Sequence, residues 1–352
     1  MPGKRGALLD PRSREYHWVA TAIQAVAEAS GQKSRWNKRV YFELSGLEGA
    51  ASPDGGMSVS DATVLHPLRR AYAGEQLTDS DLSQLRDALV TLTHESLHLC
   101  HELQNADGAV QLSAAELALE EGLAENWAQQ NVHQVIHAMD LAGKHPTLLT
   151  QKPVDAYPAL QSATTTLVDG VDTLSGRQHE EVVRRLQAAK ATERFGVIAD
   201  LVIEGRYGGT GDRPELRAQL ERTLQEKFAP VLTVERDGSL DADAQKQRGS
   251  EISALAVAEL DQVLTSPHSR SPAQQPQAVE QTWEQQILAW QKEQTQQAAA
   301  REPQVGSVEH LQKFLAQGQP HREDSGQVAQ LPGTPADPRH LIARRNPGRA
   351  VD

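Results

Sequence analysis

The segment THESLHLCHE, residues 93–102, concentrates metal-binding side chains in a short stretch of the chain. It holds three of the 13 histidines, His94, His98 and His101, and the first two frame a glutamate as H-E-x-x-H. Residues four apart on an α-helix are neighbours, so His94 and His98 can direct their ring nitrogens at one ion. Zinc accepts such ligands, and a catalytic zinc keeps one position open for water or substrate. The motif therefore predicts a divalent-metal site.

Glu95 has a different predicted role from the two histidines of the motif. It lies about 100° round the helix from His94, which places it beside the ion rather than on it. There its carboxylate can accept a proton from water and later pass that proton to a leaving amine. The alternative interpretation is a helix whose histidine-bearing face is exposed to solvent.

The helix that must carry this motif has clear start and stop signals. Thr78 can cap free N–H groups, acidic residues fill the next positions, and NADG at 105–108 is a stop signal. Leucines recur at helical spacing along one stripe, with His94 and His98 on the opposite side. We therefore expect one helix from Thr78 to about Asn105, with one packed face and one face carrying imidazoles.

A catalytic zinc needs a third protein ligand, which the next predicted helix can supply. The candidate acids and histidines there are Glu116, Glu120, Glu121, Glu125, His133 and His137. The segment EEGLAENWA at 120–128 resembles the second motif of the gluzincin metallopeptidases, often written N-E-G-x-A. In that clan a helix after the histidine helix bears the ligand glutamate. The resemblance covers both motifs, roughly residues 88–128.

The resemblance implies a role for each acid of this second motif. Glu121 precedes Gly122 and so matches the ligand position, while Glu120, one residue earlier, is the alternative ligand. Glu125, four residues after Glu121 on the same face, would accept a hydrogen bond from His94 and fix its tautomer. The small residues Gly122 and Ala124 would let this helix approach the histidine helix closely.

The same resemblance implies a zinc-dependent peptidase with Zn²⁺ as its cofactor. Such an enzyme would use a downstream tyrosine or histidine to stabilise the oxyanion, for which Tyr207 and His179 are candidates. His101 stands about 10 Å along the axis from the first histidine, so we expect it to line the cleft or pair with Glu102. His133 and His137 are expected to form a solvated or substrate-side pair; a second metal site there is the alternative, for which two histidines without an acid are a weak signal.

Composition argues against several classes of partner. The net charge of −12 leaves no excess of basic residues for nucleic acid or an anionic membrane surface. The chain contains no run of about 18 apolar residues, the length that could span a bilayer, and its N-terminus lacks the apolar core of a signal peptide. The single cysteine excludes an internal disulfide. We expect a cytoplasmic protein acting on a peptide or protein, with neither nucleic acid nor membrane as partner; export without a cleaved signal stays open.

The predicted fold class is α+β and predominantly helical, a zincin-like catalytic domain with a small N-terminal antiparallel sheet before the active-site helix. Residues 14–30, 179–205 and 214–228 have helical patterns, while 38–45 and 56–66 have strand patterns. Segment 56–66 is predicted either as an edge strand for a peptide substrate or as an edge with no such role. Residues 144–176 contain several X-Pro dipeptides and are predicted to be less regular.

Domain organisation is predicted in three parts. Residues 1–265 form the metallopeptidase domain, with a helical C-terminal half from about residue 150; 266–318 are a linker and Gln-rich amphipathic helices; 319–352 are a disordered tail. Three functions are compatible with this plan: an active peptidase, a peptidase closed by its tail, and an inactive zincin-fold interaction protein that uses the Trp- and Gln-rich helix. An active enzyme needs an open cleft over the metal.

Overall fold

The computed structural model describes residues 5–44, 46–101, 112–152, 156–208 and 213–265. These residues form an α+β fold that is mostly helical, with one small sheet near the N-terminus. The predicted linker, Gln-rich helices and tail lie outside the described residues. Every helix in the described part is too short or too polar to cross a membrane.

The sheet contains four strands, which are β1 (Arg5–Leu8), β2 (Val40–Glu43), β3 (Gly49–Ala51) and β4 (Met57–Val59). The α-helices of the N-terminal half are α1 (Arg14–Ser30), α2 (His66–Tyr72), α3 (Asp79–His98), α4 (Ala114–Ala138) and α5 (Leu141–Lys144). Those of the C-terminal half are α6 (Pro158–Ser175), α7 (His179–Ala188), α8 (Arg194–Tyr207), α9 (Pro214–Phe228), α10 (Pro230–Arg236) and α11 (Ala242–Thr265).

The prediction of an antiparallel sheet is wrong, because the sheet is mixed. Its strand order is β1-β2-β4-β3, and β2 pairs with β4 in parallel, with Val40 opposite Met57. The chain leaves β2, forms β3 at the outer edge, and returns through β4 between them, so β4 runs in the direction of β2. β3 is therefore an edge strand and lies next to the histidine helix α3.

Segment 56–66 is not the edge strand that its pattern suggested. Only Met57–Val59 is a strand, and both of its sides are paired, by β2 and β3. Ser60 then ends the strand, because its hydroxyl accepts a hydrogen bond from Thr63 N and starts a short π-helix at Asp61–Leu65. A local cap outweighs the extended pattern here.

Helix α3 begins as predicted but ends earlier than predicted. Thr78 and Asp81 form a capping box at its start, whereas the helix ends at His98 rather than near Asn105. The backbone N–H of Cys100 reaches back three residues to Leu97 O at 2.8 Å, which tightens the last turn. Residues 102–111, which include the predicted stop signal, lie outside the described part.

Two other predictions about helices need correction. Residues 158–175, predicted to be less regular, form helix α6, because Pro158 occupies the first turn, where a missing N–H costs nothing. The pattern at 179–205 is divided into α7 and α8 by a short 3₁₀ turn at Ala191–Glu193. Helices α1 and α9 have the predicted bounds.

The apolar core consists of two clusters that meet along α4. The first cluster joins the sheet, α1, α2, α3 and the C-terminal half of α4, where Ala124 and Val132 are buried. The second joins the N-terminal half of α4, around Leu119, to α6 through α11. Because α4 belongs to both clusters, its middle turns, which carry the second predicted motif, lie where the two clusters meet.

Candidate metal centre

Helices α3 and α4 pack against each other and bring the two predicted motifs together. Helix α4 can pack closely against α6 because residue 122 is a glycine. A Cβ added to Gly122 would lie 2.1 Å from Thr164 Oγ1 and 2.6 Å from Leu160 O. Both of these atoms belong to α6. The prediction that Gly122 faces the histidine helix is therefore wrong: the glycine lets α6 pack closely behind α4.

Three ligand atoms converge between the two helices. His94 Nε2 lies 3.0 Å from His98 Nε2 and 3.1 Å from Glu121 Oε2, and His98 Nε2 lies 3.4 Å from the same oxygen. Zinc bonds of about 2.0–2.1 Å in a tetrahedral site place ligand atoms roughly 3.3 Å apart. The observed triangle therefore has the size that one zinc ion requires, and the residues present fit such an ion.

The other ring nitrogen of each histidine is held by a separate carboxylate. His94 Nδ1 lies 2.9 Å from Glu125 Oε2, and His98 Nδ1 lies 2.9 Å from Glu120 Oε1. When each Nδ1–H donates to its carboxylate, each Nε2 presents a lone pair to the shared point. Two lone pairs and the carboxylate of Glu121 then converge without a positive charge between them, an arrangement that a cation stabilises.

The acids and imidazoles of this group shift one another's pKa values. Burial lowers the pKa of His94, but hydrogen bonds to Glu121 and Glu125 outweigh burial and raise it to about 9. Burial raises the pKa of Glu121, yet the charge of His98 and hydrogen bonds to both histidines bring it below its usual value. Protons bound to these histidines and a metal ion would therefore compete for the same space between the side chains.

Glu95 lies beside the three ligand atoms and against the edge strand. Its Oε2 accepts a 2.6 Å hydrogen bond from Ala51 N of β3, and its Oε1 has no hydrogen-bond partner in the described part of the chain. An added Cβ on Gly49 would lie 3.0 Å from Glu95 Cγ and from Thr91 Cγ2. Burial raises the pKa of the Glu95 carboxyl above its usual value, and the opposing effect of the charges of His94 and His98 does not cancel this rise.

The group is enclosed rather than exposed. His94 and Glu121 are fully buried, Glu95 is 3% exposed and His98 is 4% exposed. The alternative of a solvated histidine face is therefore wrong. Helix α3 is buried on all sides from Ala88 to His98, so the face that carries the imidazoles is packed as well. These side chains are closed off from solvent in the described part of the chain, so a peptidase would have to open this site to admit its substrate.

His101 and Glu120 form a second buried group beside the first. His101 Nδ1 lies 2.8 Å from Glu120 Oε1, so His101 pairs with Glu120. Glu102, one of its two predicted surroundings, lies outside the described residues. Arg194 of α8 bonds the other oxygen of Glu120. Sequence reasoning missed Arg194, and no local pattern marks it.

Both candidates for the oxyanion role are bonded elsewhere. Tyr207 donates a 2.6 Å hydrogen bond to Leu264 O of α11, and His179 Nδ1 lies 3.0 Å from Asp172 Oδ2 of α6. The aromatic side chain that does lie at the site is Tyr157, which is 2% exposed and has its ring centroid 5.6 Å from that of His94.

The remaining predicted candidates do not join the site. His133 is exposed and bonds Gln130 O within its own helix, and His137 is exposed near the end of that helix. Glu116 belongs to the capping box at the start of α4. Cys100 packs against the first core cluster, and burial raises the pKa of its thiol to about 11.

Comparisons with known proteins add no assignment to this geometry. A scan against descriptions of protein families, a search of curated proteins and a search of solved structures found no match to this chain. The chemistry of the site must therefore be inferred from its own residues.

Proposed function

We propose that this protein is a zinc-dependent peptidase of the gluzincin type, in which His94, His98 and Glu121 bind one zinc ion. The observation that carries the proposal is the triangle of two imidazole nitrogens and one carboxylate oxygen, with sides between 3.0 and 3.4 Å. Its size and its N,N,O donor set suit a catalytic zinc, which keeps three protein ligands.

The roles of the surrounding residues follow from their contacts. Bound zinc supplies Lewis-acid polarisation of a carbonyl and makes water more acidic. Glu95 interacts electrostatically with His94, His98 and Glu121, and its Oε1 has no hydrogen-bond partner in the described part of the chain. It would accept a proton from water and deliver that proton to the leaving amine. Glu125 holds His94 with its Nε2 lone pair toward the ion.

Strand β3 gives this proposal a place for an extended substrate. β3 is an edge strand, and its Ala51 N–H is bonded to Glu95, so a peptide backbone added along β3 would pass close to that carboxylate. This strand replaces segment 56–66 as the candidate for peptide pairing.

A second candidate function is favoured by the burial of the group. A structural zinc is closed, and these side chains are at most 4% exposed. In that case the ion would stabilise an inactive zincin-fold interaction protein, and recognition would take place on another surface. The two functions differ in hydrolysis, not in zinc binding.

The test compares zinc content and hydrolysis in the same preparations. The zinc-loaded wild type should digest casein or a peptide library, and Glu95→Gln should keep its zinc but lose activity by about 10²–10⁴-fold. Glu121→Ala should lose zinc and activity together. Glu226→Gln, an exposed acid on α9, is the matched control and should change neither.

Each outcome separates the candidates. Undiminished turnover in Glu95→Gln would rule out the peptidase mechanism. Zinc binding without hydrolysis in the wild type would favour the closed structural site.

A further inference from the structure

We propose that Arg194 is a positioning residue for the metal centre: it fixes Glu120 as the partner of His98 and thereby keeps Glu120 from competing for the ion. The inference rests on the proposed zinc site and adds a part of the molecule that neither motif contains. It concerns which of two adjacent glutamates binds the metal.

The contacts of Arg194 leave little freedom to its guanidinium group. The side chain is fully buried, its Nε donates a 2.9 Å hydrogen bond to Leu186 O, and its Nη1 donates to Glu120 Oε2. Its Nη2 lies 3.2 Å from His101 Nδ1. Arginine suits this place because its planar fork can serve a carbonyl and a carboxylate at once.

Both oxygens of Glu120 are committed by these contacts. Oε2 accepts from Arg194, while Oε1 lies 2.9 Å from His98 Nδ1 and 2.8 Å from His101 Nδ1. Glu120 is fully buried, and a buried carboxylate without a positive partner is strongly destabilised. In the described part of the chain, the other two contacts of this carboxylate are imidazoles, and Arg194 is the guanidinium that pairs with it. Without Arg194, Glu120 would lose this permanent positive partner and could turn toward the ion.

Arg194 also keeps a second cation away. His98, His101 and Glu120 could by themselves hold an ion, since one ligand atom from each lies within 4.8 Å of the others. The guanidinium group bonds Glu120 and lies against His101, so it supplies the positive charge of that group. The group therefore orients His98 and does not become a second metal site.

Arg194 connects the candidate metal centre to the second core cluster. It is the first residue of α8, and the next residue, Phe195, is fully buried in that cluster. The histidine ligands belong to α3, which packs in the first cluster. The ion pair between Arg194 and Glu120 thus connects the C-terminal helices to the ligand set.

The test measures the zinc dissociation constant by competition with a chromophoric chelator, together with zinc stoichiometry and thermal unfolding. Arg194→Met should weaken zinc binding about 10–100-fold in the folded protein. The double variant Glu120→Gln with Arg194→Met should recover most of that loss, because a neutral amide still accepts from His98 and needs no counter-charge. Arg217→Met, which removes a half-exposed arginine paired with Asp200 on α8, is the control and should leave zinc binding unchanged.

A merely structural role for Arg194 gives a different pattern. Folded Arg194→Met that binds one zinc with a dissociation constant within about twofold of wild type would overturn the proposal. If Arg194→Met does not fold, Arg194→Lys decides: lysine keeps a positive charge but cannot bond Leu186 O and Glu120 together, so a zinc dissociation constant within about twofold of wild type would overturn the proposal. A wild-type chain that takes up no zinc would instead contradict the proposed function.

Discussion

His94 and His98 each lie between two acids, and these contacts determine which nitrogen of each ring can bind a metal ion. One nitrogen of each ring faces Glu121, and the other faces a carboxylate that belongs to the same helix α4. A metal-binding histidine gains basicity and a fixed orientation from such a partner. The residues next to the ligands should therefore matter to zinc affinity almost as much as the ligands.

Glu125 offers a test of that expectation. Glu125→Ala leaves His94 Nδ1–H buried without its 2.9 Å partner, so the ring is no longer held in the tautomer that binds metal. We expect the zinc dissociation constant to rise about 10–100-fold, measured by chelator competition, with one zinc still bound at saturation. Unchanged affinity would show that Glu125 has no part in holding the ligand. Glu226→Gln is again the matched surface control.

Sequence predicted the candidate ligands better than their surroundings. The spacing of H-E-x-x-H and the resemblance of EEGLAENWA predicted the residues that the structure brings together, because both patterns lie within single helices. The link between Glu120 and Arg194 spans 74 residues and depends on how α8 packs. Tyr157 approaches His94 for a similar reason, and neither has a local signal.

At the scale of elements, the close packing of α4 on α6 depends on Gly122. Gly122→Ala would drive a Cβ into the backbone oxygen of Leu160 as well as the Thr164 hydroxyl, so the helices must separate. We expect a loss of about 1–3 kcal/mol in the free energy of unfolding, measured with denaturant. The control is Gly143→Ala, where the nearest atom would be 3.8 Å away. Equal stability of the two variants would contradict this packing.

The start of α6 is capped by an acid from another helix. Glu235 of α10 accepts hydrogen bonds from the N–H groups of Ala159 and Leu160, at 2.9 and 3.1 Å. Burial raises the pKa of its carboxyl to about 7, although these two hydrogen bonds lower it. The folded protein therefore holds this proton more tightly than the unfolded chain does.

A pH dependence of stability follows from that raised pKa. The contribution of Glu235 is fully present below its ordinary pKa of about 4.5 and is lost as the pH rises through about 7. Glu235→Gln removes this titration, so its stability relative to wild type should improve by roughly 1–3 kcal/mol from pH 5 to pH 8. Denaturant unfolding at both pH values measures the difference. A difference that is the same at pH 5 and pH 8 would contradict the assignment.

Some helix boundaries can be predicted from the sequence because capping residues next to them determine where the helix starts or ends. The caps Thr78 and Ser113 mark the starts of α3 and α4, and the left-handed Gly31 marks the end of α1. The direction of β4 depends on tertiary packing, which the alternation of apolar residues does not encode. The X-Pro dipeptide at 157–158 marks the first turn of α6 and not an irregular segment, a distinction that the dipeptide alone does not make.

At the scale of the whole molecule, the candidate metal centre lies where the two core clusters meet. Its histidines come from α3 of the first cluster, its acids from α4, and its buried arginine from α8 of the second. This position explains both its enclosure and its dependence on the C-terminal helices. A cation bound only by the folded chain would also stabilise it, by an amount that grows with free zinc concentration.

The central claim is that α3 and α4 hold one divalent cation through His94, His98 and Glu121. Anomalous diffraction at the zinc absorption edge, from crystals of the zinc-loaded protein, tests it most directly. We predict one peak at about 2.0–2.2 Å from the two Nε2 atoms and from one oxygen of Glu121. The absence of a peak there, or a peak bound instead by His101 and Glu120, would contradict the account.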